Sequence, residues 1–261
     1  MHITSPKGEH DACRNERSLQ VVAWNVTKKD GPFFCPECNG EVRVKKGTKN
    51  VHHFAHIPPT TCIYGEGETE LHRKAKMELF QALSQYDELS EVQLERDLGE
   101  VRPDVSFVCH NTLFAIEVQA SNLDWNEISR RTSIYEQKSI PVLWTPPYPD
   151  NMFKKRDKDN IPRYTPKLWE KYLHAMYFGK IFYWLRGEEL KIIKFGEYMI
   201  STEEYEEYAT GNVYGGYTYR SKQFRTPQVI GDTKVTELEI IKRQSNDYKY
   251  FSLPKALLLG K

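Results

Sequence analysis

Long apolar runs, excess charge and cysteine are all scarce in this 261-residue chain. No apolar stretch approaches the ~20 residues that a membrane-spanning helix needs, which excludes a helical membrane protein. The opening residues MHITSPKGEHDACRNERS are polar and lack the apolar segment of a secretory signal, so a cytoplasmic location is expected. Lys and Arg number 37 against 36 Asp and Glu, a net charge of +1. Any hold on nucleic acid must therefore come from charge arranged locally. The five cysteines, Cys13, Cys35, Cys38, Cys62 and Cys109, read as metal ligands or free thiols rather than as a disulfide framework. No internal repeat is visible. What remains is 39% hydrophobic and 28% charged, the balance of a globular chain long enough for one core and a small appended module.

Three regions follow along the chain: residues 1–66, 67–148 and 149–261. In the first, VVAWNV and EVRVKK favour strands and flank the knuckle CPEC. HHFAH follows, then a break at Pro58-Pro59 and a loop closed by Gly65 and Gly67. In the second, a helix begins near Glu68 with Thr69 as its cap and Leu71, Ala75, Leu79, Ala82 and Leu83 along one stripe. Strands are expected near Ser90–Glu95, over Val101–Cys109 and over Leu113–Gln119. A second helix over Asp124–Gln137 and a strand over Ile140–Thr145 complete an α/β core. In the third, a charged, proline-rich stretch over 149–166 precedes a short helix with Trp169, Tyr172, Leu173, Met176 and Tyr177, stopped by Gly179. A hairpin turning at Arg186-Gly187 comes next. The Tyr- and Gly-rich stretch from Tyr205 to Phe224 suits either stacking on single-stranded bases or an aromatic hairpin, and the hairpin is the plainer reading. Residues 225–261 carry no interpretable motif.

The chemistry concentrates in two places. Glu117 and Gln119 lie two apart on a strand and so share a face, with Ile116 and Val118 on the other. A carboxylate amid Leu113, Phe114, Ala115, Ile116 and Val118 is costly to bury without a partner, and a Mg²⁺ ion is one such partner. If the two strands form a hairpin, Asp104 lies across from Glu117, and the pair offers the oxygen ligands that Mg²⁺ prefers. An edge position or a salt bridge would explain the same acidic residues. On the preceding helix, Glu68, His72 and Lys76 recur at i, i+4 and i+8 and share one face, which either overlooks this site or is merely solvated.

The second place is Cys35-Pro36-Glu37-Cys38, whose spacing lets two thiolates reach one tetrahedral ion. His53, His56 and Cys62 follow, so five ligands are offered for four positions. Cys35, Cys38, His56 and Cys62 are the favoured set, with His53 as competitor. The ion would be structural Zn²⁺, because no ligand position is left for water. Cys13 and Cys109 stand apart from this set.

In order along the chain, FFCPECNGEVRVKKG, HHFAH, Cys62, ETELHRKAK, RPDV, AIEVQAS, RRTSIY, PVLWT and WEKYLHAMYFGKIFYWLRG resemble the CoiA-like competence proteins. These are assigned to the PD-(D/E)XK nuclease superfamily. The resemblance implies a restriction-endonuclease-like core, a mixed sheet flanked by helices, with an N-terminal zinc-ribbon-like module that helps grip DNA. It further implies hydrolysis of DNA with Mg²⁺ or Mn²⁺, in DNA uptake, recombination or defence, alongside recombination or defence proteins. The Pro-Asp of the superfamily pattern falls on Pro103-Asp104 and its second acid on Glu117. The position usually held by lysine falls on Gln119, although E-x-Q is what CoiA-like sequences show. Gln119 can orient water or a phosphate oxygen but cannot act as a cation or base. Lys76 is then the stand-in for the missing charge, Glu68 a further acidic contributor, and His72 and Arg131 contacts for substrate phosphate. Gln119 also keeps open a nuclease-like DNA-binding accessory without turnover. Near-neutral charge alone supports a third reading, a zinc-bearing interaction protein with no nucleic-acid role.

Overall fold

Strand-forming residues dominate the chain, and the computed structural model arranges them in two large sheets, one per candidate site. It describes residues 9–47, 52–58, 62, 68–119, 124–248 and 250–261. Pro59, Gly65, Gly67 and the Ala120-Ser121 end of the AIEVQAS match lie outside the described residues. The N-terminal sheet contains β1 (Glu9–His10), β2 (Ala12–Asn15), β3 (Gln20–Val22), β4 (Phe33–Phe34), β5 (Glu41–Lys45) and β6 (His53–His56), in the order β1-β6-β5-β4-β2-β3. In β5, exposed and buried residues alternate, with Val42 and Val44 turned into a small core of Cys13, Ala23, Phe33, Cys35 and Phe54.

The second sheet is the larger core. Its elements in chain order are α1 (Glu70–Leu83), β7 (Leu89–Leu94), β8 (Val105–Cys109), β9 (Thr112–Val118), α2 (Trp125–Gln137) and β10 (Val142–Thr145). Side-chain caps start both long helices, at α1 the expected Thr69. The Thr69 hydroxyl accepts the His72 N–H at 3.2 Å, and the Asp124 carboxylate accepts that of Asn126 at 3.1 Å. β8 and β9 form the expected hairpin through His110-Asn111, both left-handed at φ 47° and 60°, a conformation that asparagine tolerates better than most residues. β9 then pairs in parallel with β10, Glu117 opposite Trp144.

Beyond residue 148 come α3 (Leu168–Met176), β11 (Ile181–Arg186), β12 (Glu189–Ser201), β13 (Tyr205–Glu206), β14 (Val213–Tyr214) and β15 (Thr218–Lys234). The chain closes with β16 (Glu239–Arg243), β17 (Asn246–Tyr248), β18 (Phe251–Leu253) and β19 (Ala256–Gly260). The stretch 225–261, silent in the sequence, supplies β16 and β19 to the core, whose order is β16-β19-β10-β9-β8-β7. With parallel and antiparallel pairs in one sheet and helices packed on it, the fold is mixed α/β. β11, β12 and β15 make a separate three-stranded sheet, and the Tyr-rich stretch forms the small β13–β14 hairpin with Tyr205 stacked on Tyr214 at 5.6 Å. The proline-rich stretch 149–166 is tied down at its end, where Tyr164 bridges Arg225. Among the described residues, no helix is long and apolar enough to cross a membrane.

α3 carries an acid-sensitive contact. His174 stacks on Phe195 at 5.3 Å, and its Nε2 accepts the Phe195 N–H at 3.1 Å, which requires a neutral ring. Burial, with Lys194 and Arg225 nearby, pushes its pKa down to about 4. The contribution is complete above the free-histidine value near 6.5 and is lost as pH falls toward 4. His174→Gln, which keeps an acceptor but cannot protonate, should flatten the Tm-versus-pH curve in that window, removing at most roughly 3 kcal/mol of acid sensitivity.

Candidate functional site

Burial governs the chemistry around Glu117. Its carboxylate is 3% exposed on the central strand β9. One oxygen, Oε1, receives both the Arg131 guanidinium and the Tyr135 hydroxyl, the latter at 2.5 Å. Both donors come from α2, one turn apart. Burial pushes the Glu117 pKa up to about 7 against the pull of Arg131. Arg131 is itself fixed, with Nη2 donating to the Arg102 carbonyl at 2.9 Å and the guanidinium 5.8 Å from the Trp144 ring centroid.

Asp104 stands just before β8. Its Oδ2 accepts the Val118 N–H at 2.7 Å, the amide between Glu117 and Gln119, and lies 3.1 Å from His72 Nε2. Burial opposes its ionisation, but His72, Lys76 and the Val118 amide outweigh that and hold its pKa at about 2. His72 is raised in turn, Asp104 and Glu68 overcoming its burial. Among the described residues, Asp104 Oδ1 and Glu117 Oε2 take no hydrogen bond. Each acid therefore has one oxygen committed to the protein and one open. The structure also groups Asp104 with Glu68 and His72, whose ligand atoms lie within 4.8 Å of one another. Glu117 is outside that group, turned to Arg131 and Tyr135. Gln119 is 5% exposed just past β9, its N–H donating to the Thr145 carbonyl at 3.2 Å.

The helix face of Glu68, His72 and Lys76 is not a solvated one. Lys76 is 1% exposed, and its ammonium is caged by Glu68 Oε1 at 2.5 Å, Glu95 Oε1 at 2.6 Å and Asp11 Oδ2 at 2.9 Å. Burial would discharge it, but the surrounding carboxylates raise its pKa, so Lys76 remains a cation. Burial lifts Asp11 to about 7 even beside Lys76. Sequence reasoning missed Asp11, Glu95 and Tyr135. Tyr135 was within reach, since it follows Arg131 by four positions on a helix. Asp11 and Glu95 carry no local signal, because only the tertiary fold brings them to Lys76.

The sulfur site is built on β4–β6. Cys35 Sγ and Cys62 Sγ lie 3.9 Å apart, and Cys38 Sγ is 3.2 Å from His56 Nε2. Two thiolates about 2.3 Å from one tetrahedral ion would stand ~3.8 Å apart, so the spacing fits zinc. The N–H groups of Glu37 and Gly40 point at Cys35 and Cys38, each at 3.4 Å, as donors that stabilise thiolates. Although burial opposes ionisation, the Gly40 amide and the neighbouring His56, Cys62 and Cys35 bring Cys38 down to about 7. At Gly40, a Cβ would sit 3.2 Å from Cys38 Sγ, which accounts for the glycine. The structure gathers Cys35, Cys38, His56 and Cys62 within 4.8 Å and leaves His53 out, 5% exposed on the same strand.

Two family models match the chain. Residues 18–65 fit the N-terminal domain of the competence protein CoiA, and residues 68–212, more than half the chain, fit its nuclease-like domain. The chain is similar to the competence protein CoiA of Bacillus subtilis (strain 168), with 30% identity over 123 residues. That alignment spans 46% of this chain and 32% of the relative, so the chain covers about a third of the relative's length. No solved structure matches.

Proposed function

This chain belongs to the CoiA competence protein family, and from that premise we propose that it is a metal-dependent deoxyribonuclease with a restriction-endonuclease-like core. The observation that carries the reading is the pair Asp104 and Glu117, a half-buried and a buried carboxylate joined through Val118, each with one open oxygen. They would hold Mg²⁺ or Mn²⁺, with Glu68 and His72 beside them. The ion would supply a bound water of lowered pKa and offset charge developing on the phosphate. Arg131 is a cation held on Glu117, and His72, its pKa raised by Asp104 and Glu68, contacts the other acid; a DNA phosphate would attract both groups, His72 when protonated. Lys76 stays protonated, so it contributes positive field and cannot take a proton from water. Gln119, on the face of Glu117, orients water or a phosphate oxygen.

Linear, circular and single-stranded DNA incubated with the purified protein and Mg²⁺ or Mn²⁺ should be cut, and chelator should stop the cutting. DNA binding without cleavage under every metal condition would instead establish the second reading, an inactive accessory of competence or recombination. Gln119 and the closure of Arg131 on Glu117 favour that reading.

Cys35, Cys38, His56 and Cys62 would hold a structural Zn²⁺, with DNA, and recombination or defence proteins, as partners of the whole chain. Free thiols suit a cytoplasmic setting. Metal analysis should find about one zinc per chain, and Cys35→Ala should lose it together with the N-terminal fold. A folded, zinc-free wild-type protein would contradict this assignment.

A further inference from the structure

The N-terminal module reaches the core at three points beside the nuclease-like site. Gln20 Nε2 donates to the Leu94 carbonyl at 2.7 Å, next to the cage residue Glu95. Glu37, inside the Cys35–Cys38 knuckle, pairs with Arg102 at 3.1 Å, and the Arg102 carbonyl anchors Arg131, the guanidinium on Glu117. Most directly, Asp11, between β1 and β2, sends its carboxylate into the cage around Lys76. This carboxylate is fully buried, and neither oxygen accepts a hydrogen bond within the geometric limits of one. Its single partner among the described residues is the Lys76 ammonium. Glu68 and Glu95 reach the same ammonium from the core side, and the buried Arg73 lies 3.6 Å from Glu68, so Asp11 is the one carboxylate of the cluster that the N-terminal sheet supplies. It fixes the ammonium from a third direction, one turn along α1 from His72, the residue that contacts Asp104.

We propose that Asp11 is a positioning residue for the Asp104–Glu117 site: the N-terminal module completes the nuclease centre by holding Lys76 in place, and is not merely a DNA grip appended to it. This rests on the nuclease reading above. The Asp11 carboxylate contacts the Lys76 ammonium and neither Asp104 nor Glu117. It acts through Lys76, whose field reaches Asp104. Loss of zinc from the module would then be felt at the catalytic carboxylates as well as in DNA affinity.

The test uses the full chain as Asp11→Asn, which keeps the shape and removes the charge, and Asp11→Glu, which keeps the charge. Steady-state cleavage, DNA affinity in chelator, thermal melting and zinc content are measured on each. Asp11→Asn should stay folded and zinc-loaded, bind DNA as wild type does, keep its KM, and lose about 10²-fold in kcat, the scale of a misplaced group. Asp11→Glu should recover part of that loss. Wild-type kcat in Asp11→Asn, or a loss confined to KM and DNA affinity, would overturn the proposal. So would an Asp11→Asn chain that no longer folds, since Asp11 would then be structural. A wild-type chain that cuts no DNA would remove the nuclease reading itself, and is told apart from these outcomes by the wild-type control alone.

Discussion

Glu117→Ala and Asp104→Ala should each lower DNA cleavage at least ~10³-fold while leaving the protein folded, the loss appearing in kcat rather than KM. Each substitution would remove a proposed ligand oxygen and expose the basic side chain that paired with it. Glu117→Ala takes from Arg131 its carboxylate partner, leaving the Arg102 carbonyl and the Trp144 ring, and Asp104→Ala leaves His72 with Glu68 and frees the Val118 amide. On the proposed reading metal and substrate phosphate would share the site, so removing either acid would remove stabilisation that matters most as charge develops in the transition state. Single-turnover cleavage with saturating enzyme measures the effect. Undiminished rates in both variants would sink the assignment of these two residues.

Lys76→Met should be the most destabilising single change in the core. Asp11, Glu68 and Glu95 would lose their shared ammonium, with only the buried Arg73, 3.6 Å from Glu68, left to offset three largely buried carboxylates. Removing one partner of a buried ion pair costs about 3–5 kcal/mol, or ~10 °C in Tm for a chain of this size. The defect also has a definite pH dependence. Without the ammonium, the three acids bind protons more tightly in the folded than in the unfolded chain, so the variant loses stability as pH rises. The gap in Tm between Lys76→Met and wild type should therefore be smaller at pH 5 than at pH 8. A gap that is flat or widens toward acid would refute the cage.

Much of this site was legible because its signals are local. The Thr69 cap, the i, i+4, i+8 row of Glu68, His72 and Lys76, the hairpin through His110-Asn111 and the CxxC knuckle are each set by residues within a few positions of one another. The choice between His53 and His56 required the register of β6, where the two side chains part, and the structure places His56 with the cysteines. The unread features depend on distance along the chain. β19 enters the core sheet beside β10, Val142 opposite Leu258, and no local pattern announces a parallel pairing that remote. Asp11 and Glu95 meet Lys76 from separate strands of two sheets, so a polar N-terminus and an ordinary strand end gave no hint of them. The reading of Lys76 as a stand-in cation concerned its charge, and only the fold shows how many carboxylates that charge balances.

Manganese can report at once on whether Asp104 and Glu117 form one divalent-metal site and on whether that site drives DNA cleavage. Mn²⁺ binding to the zinc-loaded protein, followed by electron paramagnetic resonance, is compared with the Mn²⁺ dependence of cleavage by the same preparation, for wild type and Glu117→Ala. The two curves should rise together in wild type, and both should collapse in Glu117→Ala. Cleavage that persists in chelator, or that Glu117→Ala carries out at the wild-type rate, would contradict this assignment.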